Sequence, residues 1–122
     1  MTKSIIPIYT SRGEAEALLA YPYIFNRTGD WIGFVTAEKN VYSILGHFVG
    51  KLTMDPRIVR KRFDDNKPSI VPPVDPGQMY FSNTIPLPGL MADLPYGLID
   101  VLLDEPFRLH TSDTGELKED LY

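Results

Sequence analysis

The sequence predicts a mainly β fold: four hairpin-like repeats, the fourth degenerate, followed by a proline-rich arm and a short C-terminal helix. Three observations lead to this prediction. One phrase, an aromatic residue, three further residues, a glycine and an alternating segment, occurs in three copies. Six prolines then fall between residues 64 and 88. Beyond them, apolar residues recur at helical spacing.

The repeats begin at Tyr9, Phe25 and Tyr42, about 17 residues apart, which is the length of one β-hairpin and its connection. In each copy the glycine stands where a type I turn followed by a left-handed residue closes a hairpin. These glycines are Gly13, Gly29 and Gly46.

Side chains alternate after each glycine, and the middle residue of each predicted face is small. We expect neighbouring backbones to approach at these small positions, around a common axis, with Trp31 and Phe48 filling the layer beside them. The three faces are Ala15, Ala17 and Leu19; Trp31, Gly33 and Val35; and Phe48, Gly50 and Leu52.

The first copy has an alternative interpretation. Ser11–Glu14 resembles a capping box, and the residues that follow have good helix propensity, so a short helix over 13–20 stays open. Register with the other two copies favours the hairpin.

A fourth repeat is expected near residue 59, and Arg57–Phe63 fits its first strand. Phe63 stands in the place of the glycine, however, and Lys67 in the place of the small residue. The fourth repeat is therefore degenerate, or only half a hairpin.

The aromatic, glycine and small-residue pattern resembles the 4-fold beta flower family over about residues 5–63. The resemblance implies four hairpin petals around a pseudo-four-fold axis and a bacterial source, and it implies no activity. Gly29–Val35 alone is also similar to a PRC-barrel strand pair, but the triple repeat argues against that family.

The chain has 122 residues, 43% of them hydrophobic, which indicates one domain, residues 1–63 forming its repeat part. A net charge of −4 gives no case for binding nucleic acid or an anionic membrane. No segment has the length of a membrane span, and there is no cysteine. We expect a cytoplasmic protein without disulfides, cofactor or metal.

The prolines predict an extended arm over residues 64–91. Its apolar segments, Gln78–Phe81 and Ile85–Met91, should pack on the repeats or on a neighbouring subunit. An amphipathic helix is expected over 92–105, with Asp93 as N-cap, and an acidic, mobile tail over 106–122.

No residue pattern specifies catalysis, so the sequence leans against an enzyme. His47 is expected at the surface, on the strand face opposite Phe48. Asp93, Asp100 and Asp104 could be imagined as magnesium or calcium ligands, but capping and a solvated helix face explain them.

Basic residues concentrate between Lys51 and Lys67, with six of them against three acids, while the C-terminal part is acidic. The two regions complement one another within the protein or its oligomer. Alternatively, the basic region is an interaction patch for a phosphate-bearing ligand or nucleic acid, although sparse aromatic platforms disfavour nucleic acid. This candidate patch is Arg57, Arg60, Lys61 and Arg62.

Two function classes follow. The first is a non-enzymatic binding or assembly module that forms a homo-oligomer, or binds another protein, through its arm and helix. The second is a small-molecule-binding protein or enzyme with a site at the axial mouth of the repeats or beneath the arm. The candidate lining of that site is Trp31, His47, Phe48 and Tyr80.

Overall fold

The computed structural model of the protein describes residues 4–63, 66–82 and 84–112. Eight antiparallel strands form one sheet, in which each strand pairs with its neighbours in the sequence and the whole curls into a half-barrel. The strands are β1 (Ile6–Tyr9), β2 (Ala15–Ala20), β3 (Tyr23–Asn26), β4 (Trp31–Val35), β5 (Asn40–Ser43), β6 (Phe48–Leu52), β7 (Ile58–Lys61) and β8 (Leu98–Asp100).

The strands make four hairpins, β1–β2, β3–β4, β5–β6 and β7–β8, which we call petals 1 to 4. The first strand of each petal carries an aliphatic residue with no exposed surface. These residues recur every 16 or 17 positions and pack into one cluster with the second strands and the C-terminal segment. The predicted repeats are therefore confirmed. The four residues are Ile8, Ile24, Val41 and Ile58.

Ala15–Ala20 is a strand, so the hairpin interpretation of the first copy is right and the helix alternative is wrong. Pairing with both β1 and β3 binds its backbone groups on either side. Tertiary pairing here outweighs local helix propensity.

Petal 4 is divided by the arm. Its first strand, β7, follows petal 3 directly, as the repeat spacing predicts, but its second strand, β8, comes after the arm. Val59 pairs with Asp100, and Lys61 pairs with Leu98. The prediction of half a hairpin missed β8 because the whole arm stands in place of the turn, and periodicity does not extend across such an insertion.

The second strands of petals 1 to 3 each contain a β-bulge. In petal 2, Phe25 pairs with Trp31 and Ile24 pairs with Gly33, so that Ile32 is the extra residue. The bulge places Trp31 on the outer face, and Ile32 joins the core. The predicted alternation is therefore wrong at this point, and Trp31 does not fill the axial layer.

Gly33 and Gly50 lie where neighbouring strands come closest. A β-carbon on Gly33 would stand 2.6 Å from the carbonyl oxygen of Tyr42, and one on Gly50 would stand 2.5 Å from that of Val59. These distances confirm the predicted close approach at the small positions. Phe48, predicted to lie beside them, instead packs on the outer face against Tyr42, with ring centroids 5.7 Å apart.

The arm contains no helix or strand in residues 66–82 and 84–91, and it runs along the outer side of the petals. After it, the helix predicted over 92–105 shrinks to one turn, α1 (Val101–Asp104), capped by Asp100 instead of Asp93. The helix is short because β7 would otherwise be the unpaired edge strand of the sheet, and residues 98–100 pair with it as β8 instead of forming helix. None of the helices in the described ranges is long and apolar enough to cross a membrane.

The chain beyond α1 is ordered for longer than predicted. Pro106–Arg108 forms a 3-10 helix, and Leu109 is buried in the core. The predicted mobile tail is thus wrong for residues 106–109, because Leu109 packs over Gly33. Residues 113–122 of that prediction lie outside the described residues.

Candidate functional site

The tips of petals 1 to 3 are built by the same turn. A Ser, Thr or Asn directly after the repeat's aromatic residue opens the turn, and its side-chain oxygen accepts hydrogen bonds from main-chain N–H groups within it. In petal 2, Asn26 Oδ1 accepts from Thr28 at 3.0 Å and from Asp30 at 2.9 Å. Gly29 has a φ of +88°, which lets the chain reverse.

The arm crosses these tips in reverse order. At petal 3 the N–H of Ile70 donates to the carbonyl oxygen of Gly46 at 3.0 Å. At petal 2 the N–H of Met79 donates to the carbonyl oxygen of Gly29 at 2.9 Å. The two donors are nine residues apart along the arm, and each binds the tip glycine of its petal in the same way.

Petal 1 contacts the arm differently. The residue nine positions after Met79 is Pro88, which has no N–H to donate. Instead, the hydroxyl of Tyr9 donates to the carbonyl oxygen of Pro86 at 2.6 Å. A β-carbon on Gly13 would stand 3.4 Å from Pro88 Cγ, whereas the corresponding distance at petal 2 is 1.8 Å. The arm therefore approaches petal 1 less closely.

This looser contact leaves a cleft of about 260 Å³ between the arm and the outer face of petal 1. Its lining is mainly apolar, with Ser82 and Thr84 as polar residues among it. The apolar side chains are those of Ile5, Pro7, Leu18, Tyr80, Phe81, Ile85 and Pro86.

A buried polar cluster ties the two ends of the sheet together. Arg57, only 3% exposed, donates to Ser11 Oγ at 2.9 Å and to Asp55 Oδ2 at 2.6 Å. It also donates to the carbonyl oxygen of Ala92 at 2.9 Å. The Ser11 hydroxyl donates onward to Asp100 Oδ2 at 2.6 Å. The cluster thus joins the end of β1, the turn before β7, the chain after the arm, and β8.

Hydrogen bonds within this cluster stabilise the ionised form of Asp55. Burial raises the pKa of Asp55, but hydrogen bonds from Arg57 and Thr53 outweigh it and hold the pKa below its ordinary value. Arg57 Nε is buried without a hydrogen-bond partner among the described residues.

A second cluster joins β7 to the end of α1. Glu105 accepts from Arg60 through both carboxylate oxygens, at 2.6 and 2.8 Å, and from Arg108 Nε at 2.7 Å. The hydrogen bonds from Arg60, more than any other cause, lower the pKa of Glu105 to about 2, while burial acts in the opposite direction.

The residues of the predicted basic patch do not form one exposed surface. Arg57 is buried, Arg60 is held by Glu105, and Arg62 lies over the ring of Tyr96, 4.3 Å from its centroid. Lys61 is exposed at the end of β7. Strand alternation sends neighbours in this basic run to opposite faces, so the four cations do not combine into one patch.

The candidate pocket residues are also separated. Trp31 packs edge-on against Tyr23, with ring centroids 6.2 Å apart, and lines a small polar cleft. Tyr80 lines the cleft beneath the arm. His47 is exposed, as predicted, and Phe48 is half-buried on the outer face.

The axial mouth of the repeats is covered by the C-terminal segment, which leaves a cleft of about 390 Å³ against petals 1 and 2. Glu16, Asn26 and His110 are among its polar lining residues. In the ranges that the structure describes, no three Asp, Glu or His side chains are placed to hold a metal ion. Asp100 accepts hydrogen bonds from Ser11 and from the N–H of Leu103.

Sequence reasoning missed the pair of Ser11 and Asp100. They are 89 residues apart, and Asp100 has the spacing of a solvated helix face. The tip turns did carry a signal, because each opener, Thr10, Asn26 or Ser43, follows the repeat's aromatic residue.

Comparison with known proteins bears on the fold. The model of one family, 4-fold beta flower protein, matches residues 6–81, which include petals 1 to 3, β7 and the arm as far as petal 2. Searches of curated proteins and of solved structures found no match. The match spans more than half of the chain and agrees with its four hairpins. The chain belongs to the 4-fold beta flower protein family.

Proposed function

We propose that this chain is a non-enzymatic binding and assembly module that pairs with a second copy of itself through the outer face of its arm. The observation that carries the proposal is the exposure of large apolar side chains along the arm. Five of them are at least 84% exposed: Val71, Val74, Tyr80, Leu87 and Leu90.

The two sides of the arm contrast in what they contact. Its inner side is used within the chain, where Phe81 packs on Phe25 with ring centroids 5.5 Å apart and backbone groups bind the petal tips. Its outer side presents apolar surface to solvent. Single exposed apolar residues are ordinary, but a series of them on one segment is typical of an interaction surface.

A second copy is the partner that this surface favours. The cleft beneath the arm and the protruding Leu87 and Leu90 lie on the same segment, so a two-fold pair could seat the side chains of each copy in the cleft of the other. The helix has no part in this proposal, because Val101 and Leu102 are buried in the chain's own core.

The test is the mass of the full chain by light scattering or native mass spectrometry, from about 1 µM to about 500 µM. We expect a concentration-dependent dimer in the wild type and a monomer in Leu87→Ser/Leu90→Ser. Met54→Ser, which removes a side chain that is 98% exposed in the turn before β7, is the matched control and should dimerise normally. Monomer mass at every concentration would refute the proposal.

A second candidate, a small-molecule-binding protein, is supported by the apolar cleft beneath the arm. At about 260 Å³ it is slightly smaller than most ligand pockets, so a compact apolar molecule would fit it best. A monomer that carries an extra non-covalent mass in native spectra, lost in Leu18→Asp, would favour this candidate over self-association.

A further inference from the structure

Three lysines from three separate elements line one cleft. Lys51 belongs to β6, Lys61 ends β7, and Lys67 stands at the start of the arm. The cleft has a volume of about 190 Å³, and all three lysines are exposed at its rim. Its other lining residues are Val59, Arg60 and Leu98.

Strand register places two of these lysines on the same face of the sheet. Lys51 pairs with Val59, Lys61 pairs with Leu98, and Val59 and Lys61 are two residues apart in β7, so all four side chains share one face. Val59 and Leu98 form the apolar floor between the lysines. The third comes from the arm. Lys67 Nζ lies 5.6 Å from the centroid of the Phe48 ring, three residues before the arm binds the tip of petal 3.

The charged residues that the structure describes in the lining of the cleft are all basic. No carboxylate is among the described residues that line it. Arg60, which also lines the cleft, forms an ion pair with Glu105. The ion pairs between described residues involve neither Lys51 nor Lys67. A positive rim over an apolar floor is suited to an anion that carries an apolar body.

We propose that this cleft binds a small phosphomonoester, with its phosphate between the lysines and its organic part on Val59 and Leu98. Lysine ammonium groups donate hydrogen bonds to phosphate oxygens and act as point charges, so they bind phosphate without a fixed fork geometry. The net charge of −4 disfavours a long polyanion such as nucleic acid, whose further phosphates would meet acidic surface. The proposal is independent of self-association through the arm.

The experiment is a titration of the isotope-labelled full chain with phenyl phosphate and, separately, with inorganic phosphate. Binding is measured from the changes in the amide chemical shifts in NMR spectra. Potassium chloride at matched ionic strength is the blank. We expect saturable shifts around Lys51, Lys61 and Lys67, with a Kd of about 1–10 mM for phenyl phosphate and at least threefold weaker binding of inorganic phosphate.

Variants then locate the site. Lys51→Gln/Lys67→Gln should weaken phenyl phosphate binding at least tenfold, whereas Lys39→Gln, which removes an exposed lysine from the turn before β5, should leave it unchanged. Linear shifts equal to those in potassium chloride would overturn the proposal. So would equal affinity of both phosphates, or equal weakening by all the variants.

Discussion

The main-chain N–H of Met79 donates to the carbonyl oxygen of Gly29 across 2.9 Å, and the carbonyl oxygen of Met79 lies 1.8 Å from where a β-carbon on Gly29 would stand. Gly29, at the tip of petal 2, is therefore required for two reasons. It adopts the left-handed conformation that closes the hairpin, and it lets the arm reach the backbone of the tip.

Gly29→Ala should separate these two requirements when it is compared with Gly77→Ala. Both glycines have positive φ, +88° and +79°, but nothing lies within 4 Å of a β-carbon on Gly77. We expect about 1 kcal/mol of destabilisation for Gly77→Ala, from backbone strain alone, and about 3 kcal/mol for Gly29→Ala. Urea unfolding measures both, and equal losses would show that the arm contact contributes nothing.

Gly33→Leu should destabilise the core. Its side chain would overlap the carbonyl oxygen of Tyr42 at 2.6 Å and Leu109 Cδ2 at 2.7 Å, so we expect a loss of more than about 3 kcal/mol. Gly89→Leu is the control, because a β-carbon there meets nothing within 4 Å. Thermal unfolding of both variants is the measurement. If Gly33→Leu melts like the wild type, the close approach at the axis is wrong.

The parts of the fold that sequence could predict are those in which the signal is local. Turn glycines, repeat spacing and small residues at close approaches all depend on short segments, and they predicted petals 1 to 3 and β7. The arm was predictable for the same reason, because a series of closely spaced prolines is incompatible with a helix interior and with a central strand.

The parts that sequence could not predict depend on partners distant in the chain. The open edge of β7 decides that Leu98–Asp100 is a strand, although its residues fit an amphipathic helix. A bulge residue such as Ile32 reverses the faces of a strand without any residue type that marks it. Burial of Arg57 likewise depends on Ser11 and Asp55, so it could not be distinguished from the exposed basic residues near it.

Glu105 should make stability depend on acid pH. Its folded pKa of about 2 lies below the ordinary 4.5, so its contribution is complete above pH 4.5 and is lost as the pH falls through about 2. Because the group is partly solvated, we expect about 1–2 kcal/mol at low ionic strength. Glu105→Gln should lose that amount at pH 7, and its unfolding free energy should approach the wild-type value near pH 2. A constant difference from pH 7 to pH 2 would contradict this assignment.

Arg57→Lys should destabilise although it keeps the charge. A lysine cannot donate to Ser11, Asp55 and the Ala92 carbonyl oxygen with the geometry of the guanidinium fork, so buried acceptors lose partners. We expect a loss of about 2–3 kcal/mol in urea unfolding. Arg62→Lys, at a partly exposed site, should cost less than about 1 kcal/mol. Equal effects of the two substitutions would mean that the buried cluster is not a structural tie.

A chain that ends at Phe63 should not fold cooperatively, because the arm and the C-terminal segment complete both faces of the sheet. Such a chain lacks β8 and the core residues Val101, Leu102 and Leu109, and it uncovers the aromatic residues that the arm buries. We expect weak near-ultraviolet circular dichroism and a broad urea transition without a defined midpoint. A chain that ends at Ser112 keeps the contacts described above and should unfold in one sharp transition. If the chain ending at Phe63 unfolds as sharply, the petals form an independent domain, and the arm is an accessory to it.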